Sequence, residues 1–327
     1  MRSIKRSASF IILSFYFFVG KSQSPLVDSL FHPDSLRHIV EVLASDSLQG
    51  RFTGTAENFK AATFIAEEFK KAGLSHVAGN REFFQEIQPA WYNVMGAIRG
   101  NSKPGEIIIF SAHYDHVGTD RTNSSGYRKW STDDDGIYNG ANDNASGVAA
   151  VISLAKYFKK LGNNERTLLF IAFTGEELGL LGSQFLAGEL AGDSIIAMIN
   201  IEMIGRAEFK YSRPFVSGYD KSNLISILNR NYLSLAGLKA EKEFFKTDPY
   251  TDQYLFRRSD HYPFALKGVP AHSIQLTSPR DEFYHHPNDE TQTLDFELMK
   301  KVLYGIAMGT TGLVKGLDTP TRIRNAY

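Results

Sequence analysis

Four short, uninterrupted apolar runs alternate along the chain with longer segments whose apolar residues have helical spacing. The runs are Ile107–Phe110, Leu168–Phe173, Ile195–Ile199 and Val269–Leu276. The helical segments are Leu36–Leu43, Ala56–Leu74, Val148–Leu161, Leu178–Leu190, Leu224–Leu235 and Leu294–Leu313. Continuous apolar runs are typical of strands covered on both faces, and strands that alternate with helices form mostly parallel sheets. The sequence therefore predicts an α/β fold with a mostly parallel central sheet.

The mature chain is predicted to form one domain over residues 25–327. Its hydrophobic content of 43% allows a sizeable core, and no stretch rich in Pro, Gly or Ser divides it. Two segments are more polar than the rest of the chain, near residues 119–140 and 206–258, and are predicted to be insertions that leave the sheet.

Residues 1–24 have the pattern of a signal peptide. Arg2, Lys5 and Arg6 precede an apolar stretch, Phe10–Val19. A membrane-spanning helix needs roughly 20 apolar residues, so this stretch is too short and fits a signal-peptide core. We therefore expect export to the periplasm or beyond and no stable membrane anchor after cleavage; an uncleaved anchor is the alternative.

Charge and cysteine content exclude several classes of function. The chain has 36 Lys and Arg against 36 Asp and Glu, which argues against nucleic acid as a partner. The absence of cysteine removes disulfides, thiolate zinc sites and cysteine nucleophiles. A serine hydrolase has no support, because no G-x-S-x-G motif occurs. Any metal must be held by nitrogen and oxygen atoms.

Histidine and acidic residues follow each of the four apolar runs. They are His113 and Asp115 in SAHYDH, Glu176 and Glu177 in TGEE, Glu202 in NIE, and His285 in YHHPND. Because sites in α/β sheets form at the carboxyl ends of the strands, we expect these side chains to converge. A further acid, Asp143, lies in GANDNASG, just before a predicted helix.

Each of these residues alone has an ordinary structural explanation. Asp143 suits a helix N-cap, and Glu176 and Glu177 suit the first turn of a helix, whose dipole favours acids. Glu202 suits an ion pair with Arg206, and a single histidine suits a structural hydrogen bond. Five such groups at one predicted edge are better explained together, as a metal site.

The motifs HYDH, GANDNASG, FTGEELGLLGS, NIEMIGR and YHHPND follow one another in this order. In these motifs the chain resembles the zinc aminopeptidases with two co-catalytic metals, the family of the Streptomyces and Vibrio leucyl aminopeptidases. The resemblance extends from about Leu43 to the C-terminal helix. It implies a three-layer α/β/α sandwich with a mixed, mostly parallel central sheet. Glutaminyl cyclases share this fold and several of the motifs.

The resemblance implies that the chain binds two zinc ions. His113 and Glu202 would hold one ion, Glu177 and His285 the other, and Asp143 would bridge both with its two carboxylate oxygens. Many family members have Asp where this chain has Glu202, whose extra methylene still allows it to act as a ligand but can shift or weaken that site.

Three further acids take roles around this centre. By resemblance, Glu176 is the general base, which takes a proton from the zinc-activated water and passes it to the departing amine. Asp115 lies two residues after His113, so in extended chain it shares a face with that imidazole and can accept its other N–H. Asp260, in the family-like segment SDHYPF, is a carboxylate near the ligands or the substrate, or else a helix cap.

The remaining histidines are not assigned as ligands. The pattern Tyr-His-x-Pro-x-Asp selects His285 rather than His286. His116 and His261 are left out because the implied set for two metals is already complete.

The resemblance implies a secreted metallo-aminopeptidase, a zinc-dependent exopeptidase that acts on peptides with a free N-terminus. The first alternative is a glutaminyl cyclase, which uses one zinc ion to cyclise N-terminal Gln. The absence of metal at His113 and Glu202 would favour that alternative. A non-catalytic binding domain on the same scaffold is the second alternative, although no expected ligand or base position holds an inert residue.

Overall fold

The computed structural model describes residues 29–122, 135–207, 213–236 and 243–327. The predicted signal peptide therefore lies outside the described residues, as do parts of both polar segments. Within the described ranges, no helix is long and apolar enough to cross a membrane.

The strands of the described residues form one mixed sheet. They are β1 (Ser75–His76), β2 (Phe84–Gln88), β3 (Trp91–Ile98), β4 (Lys103–His113), β5 (Arg166–Phe173), β6 (Ile195–Glu202), β7 (Phe215–Val216), β8 (Lys246–Thr247) and β9 (Ala271–Gln275). Their order is β1-β3-β5-β4-β6-β9-β7-β8, with β2 paired to β3. Strands β5, β4, β6 and β9 run parallel to one another. The flanking strands β3 and β7 run antiparallel to their neighbours β5 and β9. The prediction of an α/β fold with a mixed sheet is confirmed, and its four central strands are the parallel ones.

The helices cover both faces of this sheet. They are α1 (Pro33–Leu43), α2 (Ala56–Lys71), α3 (Ser146–Leu161), α4 (Leu181–Glu189), α5 (Leu224–Ala236), α6 (Tyr262–Leu266), α7 (Phe296–Gly309) and α8 (Thr311–Val314). Strand β4 shows how the layers form, because Ile108 and Phe110 enter the core beneath α1, α2, α3, α5 and α7. Ile109, between them, enters a second core beneath α4 and α6. The alternation of side chains along a strand thus produces the expected three-layer sandwich.

Several helix ends follow from local sequence. The Thr55 side chain accepts the N–H of Asn58 at the start of α2, and Asp295 accepts that of Leu298 at the start of α7. Helix α2 ends at Lys71, close to Gly73, which the sequence predicts as the end of this helix and whose φ of 77° favours glycine.

Three features differ from the sequence-based expectation. The segment expected to be helical from Leu178 begins with a turn, and helix α4 starts at Leu181. The last long helix is divided into α7 and α8. Strand β3 was not predicted, because Asn93 and Gly96 interrupt its apolar pattern, yet both lie inside the sheet. A Cβ atom on Gly96 would lie 2.6 Å from Leu74 Cδ2, so close packing of the neighbouring segment excludes a side chain there.

Strand register aligns the carboxyl ends of the central strands. Phe110 of β4 is paired with Phe170 of β5 on one side and with Ile199 of β6 on the other. His113 ends β4, and Glu202 ends β6. The segment 206–258 contributes β7 and β8 to the sheet edge beyond β9.

Candidate metal centre

The side chains expected to bind metal meet at the carboxyl ends of β4, β5 and β6. His113 Nε2 lies 3.1 Å from Glu202 Oε1 and 3.3 Å from Asp143 Oδ1. His285 Nε2 lies 3.1 Å from Glu177 Oε2 and 3.3 Å from Asp143 Oδ2. Asp143 therefore directs one carboxylate oxygen to each His–Glu pair.

The loop that carries Asp143 is fixed by another acid, Asp289. The main-chain N–H groups of Asn142 and Asp143 both donate to its carboxylate at 3.0 Å. Arg206 donates to the same carboxylate at 2.7 Å, which compensates its buried charge. Helix α3 begins after this loop, with Ala145 at the N-cap position, so Asp143 does not cap it. The loop instead presents its side chain to the two histidines.

The asparagines on either side of Asp143 connect its loop to the end of β6. Asn144 Oδ1 accepts the N–H of Met203, and Asn142 Oδ1 accepts that of Gly205. These bonds join the GANDNASG and NIEMIGR segments, which explains physically why both carry short polar and glycine residues. They also hold Glu202 near Asp143.

The donor set fits zinc. Zinc–ligand bonds of 2.0–2.2 Å at tetrahedral angles place neighbouring ligand atoms about 3.3–3.6 Å apart. The distances of 3.1 and 3.3 Å within each His–Asp–Glu group are close to this spacing. Nitrogen and carboxylate oxygen are ligands that zinc accepts. Each His–Asp–Glu group offers three candidate ligand atoms, and His116 lies beside the group of His285.

Asp115 orders the turn that carries the two glutamates. Its carboxylate accepts the N–H groups of Glu176 at 3.2 Å and Glu177 at 3.3 Å, together with the Thr53 hydroxyl at 3.0 Å. His113 Nδ1 lies 3.1 Å from the main-chain oxygen of Asp115 and 3.7 Å from Oδ1 of its carboxylate. The main-chain oxygen is thus the nearer partner of that imidazole.

Glu202 reaches the centre despite its extra methylene. Its Oε1 faces His113, and its Oε2 accepts a 2.7 Å hydrogen bond from the hydroxyl of Ser259. Asn200 Nδ2 donates to the same hydroxyl oxygen, so the proton of Ser259 is directed to Glu202. Ser259 precedes Asp260 in the SDHYPF segment, and sequence reasoning gave it no role.

Glu176 and Asp260 are acids whose charged form the site disfavours. Burial and the neighbouring carboxylates of Glu177 and Glu202 raise the pKa of Glu176 well above its ordinary value. Burial raises the pKa of Asp260 to about 7. An oxygen of Glu176 lies within 4.8 Å of a ring nitrogen of His113 and a carboxylate oxygen of Glu177, so this acid lies beside the two His–Asp–Glu groups.

A small cavity opens onto the centre. Its lining residues are His113, Asp143, Glu176, Glu177, Glu202, Met203, Leu255, Arg258, Gln275, Thr277, Pro279 and Tyr284. Burial and the nearby acids raise the pKa of Tyr284 well above its ordinary value, so its hydroxyl remains a donor. Tyr284 stands in the YHHPND motif but was not assigned a role from the sequence.

Arg51 holds together the loops around the centre, although no sequence motif indicated this role. Its guanidinium is buried and donates to the main-chain oxygens of Leu43, Tyr114, Asn139 and Gly140 at 2.5 to 3.1 Å. Burial lowers its pKa to about 10, and the acids around the centre oppose this shift. Arg51 therefore joins the loops after β4 and before α3 while offsetting part of their negative charge.

The other histidines take different places. His261 contacts the Ser217 hydroxyl at 3.3 Å, and burial lowers its pKa to about 3. His286 Nδ1 accepts the N–H of Asn288. His116, by contrast, lies in the centre, with Nδ1 at 3.0 Å from Glu177 Oε1.

In the metal-free protein, the ion pair between Glu177 and His285 should contribute most to stability between about pH 4.5 and 6.5. Burial opposes the charged form of His285, but nearby carboxylates raise its pKa from 6.5 to about 10. The stability that the charged imidazole contributes is therefore complete below pH 6.5 and is lost as the pH rises towards 10. Burial acts to raise the pKa of Glu177, but the opposing effect of His285 lowers it from 4.5 to about 2. The stability that the Glu177 carboxylate contributes is therefore lost as the pH falls from 4.5 towards 2. Urea denaturation of chelator-treated protein from pH 3 to 9 measures this, and a free energy of unfolding that rises steadily above pH 6.5 would contradict it.

Together, the three-layer α/β/α fold and the two His–Asp–Glu groups at its strand ends are typical of a metal-binding protein of this fold class. The model of Peptidase family M28 matches residues 93–309, a span that contains every residue of both His–Asp–Glu groups. The chain belongs to this family.

Individual proteins resemble the chain over different lengths. Aminopeptidase YwaD of Bacillus subtilis is 28% identical over 209 residues, which cover 62% of this chain and 40% of YwaD. The crystal structure of BSAP, a zinc aminopeptidase from Bacillus subtilis, superposes with a TM-score of 0.67 at 16% identity, covering 91% of this chain and 99% of BSAP. Porphyromonas gingivalis glutaminyl cyclase superposes with a TM-score of 0.63 at 18% identity, covering 87% and 99%. The chain spans about half the length of the curated relatives it matches.

Proposed function

We propose that the chain is an aminopeptidase that uses two zinc ions to hydrolyse the N-terminal bond of peptides. The observation that carries this proposal is the position of Asp143, whose two oxygens each lie 3.3 Å from a different histidine. A carboxylate shared in this way fits the roughly 3.5–4 Å separation of paired catalytic metals. The aminopeptidases YwaD and BSAP, described above, support the same activity.

The residues divide the work as follows. His113 and Glu202 would hold one ion, His285 and Glu177 the other, and Asp143 both. Bound zinc supplies a Lewis acid that polarises the scissile carbonyl and lowers the pKa of water. Asp115 holds the Glu176–Glu177 turn by two main-chain hydrogen bonds, so the base stays beside the ligands.

Glu176 is the proposed general base. It takes a proton from the attacking water and gives it to the departing amine. In the metal-free protein the neighbouring acids oppose its ionisation, whereas dications bound beside it favour the carboxylate that this role needs.

The substrate class rests on the similarity to the aminopeptidases YwaD and BSAP. The charge of the cavity does not select it, because three of the lining acids, Asp143, Glu177 and Glu202, are proposed zinc ligands and two bound dications would offset their charge. Peptides with a free α-amino group are the proposed substrates.

Metal counting alongside two substrates tests this function. We expect two zinc ions per chain and release of the amine from leucyl anilide, because both His–Asp–Glu groups are complete. One zinc ion with pyroglutamate formed from a glutaminyl substrate would instead identify a glutaminyl cyclase, and no metal with no turnover would favour a binding domain.

We also propose that the protein is exported, on the basis of the basic and apolar pattern of residues 1–24. Sequencing the N-terminus of the protein purified from its own cells tests this. Recovery of the intact N-terminus from the cytoplasm would contradict it.

A further inference from the structure

His116, the last residue of the HYDH motif, lies beside the ligands without having been assigned to them. It is buried, and its Nδ1 lies 3.0 Å from Glu177 Oε1 and 3.8 Å from Asp143 Oδ2. The other oxygen of Glu177 faces His285 at 3.1 Å. The carboxylate of Glu177 is thus held between two imidazoles.

The position of the His116 ring is set by the backbone around it. A Cβ atom on Gly140 would lie 2.6 Å from both Cγ and Cδ2 of the ring, so this glycine is needed for the imidazole to fit. Gly140 also has a φ of 56°, which favours glycine. The main-chain N–H of His116 contacts the main-chain oxygen of Arg51 at 3.4 Å. The ring therefore has little freedom to turn away from Glu177.

Two observations favour a hydrogen-bond donor over a metal ligand. The 3.8 Å distance from Nδ1 of His116 to Asp143 Oδ2 exceeds the 3.3 Å distances of His113 and His285 to the same carboxylate. Nε2 of His116 is buried and has no hydrogen-bond partner among the described residues. If Nδ1 bound metal, Nε2 would have to carry an unpaired buried N–H, which proteins rarely tolerate. With the proton on Nδ1, Nε2 is only an unfilled acceptor.

We propose that His116 is a positioning residue, which donates from Nδ1 to Glu177 and thereby directs the other oxygen of that carboxylate to the metal site of His285 and Asp143. Hydrogen bonds to ligating groups of this kind change metal affinity by about 10–100-fold. The inference rests on the proposed function only in that zinc binds at this site.

The test compares two substitutions in a Glu202→Gln background, where the His113 site is weakened and the His285 site can be measured alone. His116→Leu retains much of the volume but has no donor, so zinc affinity, measured by chelator competition, should fall about 10–100-fold. His116→Asn places an amide N–H where Nδ1 stands, and its affinity should stay within about threefold of the parent.

His272→Leu is the matched control, since His272 is a buried histidine of β9 whose ring contacts the Ser222 hydroxyl at 2.7 Å. It should lower stability but leave zinc affinity unchanged. Equal zinc affinity in His116→Leu and the parent would overturn the inference. So would a His116→Asn variant that binds zinc as weakly as His116→Leu, because this result would make the imidazole itself a ligand. If neither the wild-type protein nor the parent binds zinc, the proposed function itself fails.

Discussion

Glu176→Gln should abolish nearly all peptide cleavage while leaving both zinc ions in place. Gln has the same shape but cannot take a proton, and loss of a general base lowers turnover by about 10²–10⁴-fold. The effect should fall on kcat, with KM little changed, because the lost interaction acts in the transition state. Folding should not suffer, since burial and neighbouring acids already disfavour the charged form of Glu176 in the metal-free protein. Steady-state kinetics on leucyl anilide with metal analysis of the same sample measure these quantities.

Glu177→Gln is the matched control, one residue along the chain. Glu177 faces His285 at 3.1 Å as a proposed ligand, so this variant should lose zinc from that site. Part of its activity should return with excess zinc, whereas that of Glu176→Gln should not. Turnover of Glu176→Gln within about tenfold of wild type would refute the role of this residue as the base.

Asp143→Asn should weaken both zinc sites at once. Among the described residues, Asp143 alone places one oxygen 3.3 Å from each of His113 and His285. An amide offers one oxygen and one NH₂ group, which is a donor and not a ligand, so it cannot bridge two ions. We expect both affinities to fall by more than about 100-fold, beyond the range typical of groups outside the ligand set. Activity at ordinary zinc concentrations should fall with them.

The contrast with Glu202→Gln makes the bridging role testable. Of the two histidines that Asp143 faces, Glu202 contacts His113, so its substitution should weaken one site and spare the other. Zinc titration with a competing chelator resolves the two cases. An Asp143→Asn protein that binds two zinc ions with affinities within about tenfold of wild type would show that the bridge is unnecessary.

The sequence predicted the central strands well because their apolar runs are buried on both faces, and this burial is encoded locally. It also located the acids and histidines that follow them, since strand ends of a parallel sheet meet at one edge. It did not predict β3, whose Asn93 and Gly96 are accommodated by neighbours distant in the chain.

The groups that support the centre depend on the same long-range packing. Asp289 binds the loop of Asp143 from 146 residues away, and Ser259 reaches Glu202 across 57 residues. Arg51 has no apolar pattern or motif around it, yet its guanidinium binds main-chain oxygens of three separate segments. Such contacts have no period or spacing in the sequence and therefore could not be read from it.

By itself, then, the sequence determined the α/β class, the alternation of strands and helices, and the types of atom available to bind metal. Those properties follow from local apolar patterning and from side-chain chemistry. The tertiary structure decided which groups share a site. Asp143 does not cap the helix that follows it but faces two histidines, and His116 contacts Glu177. Convergence of this kind depends on strand register and loop packing, which bring residues into contact that the chain keeps far apart.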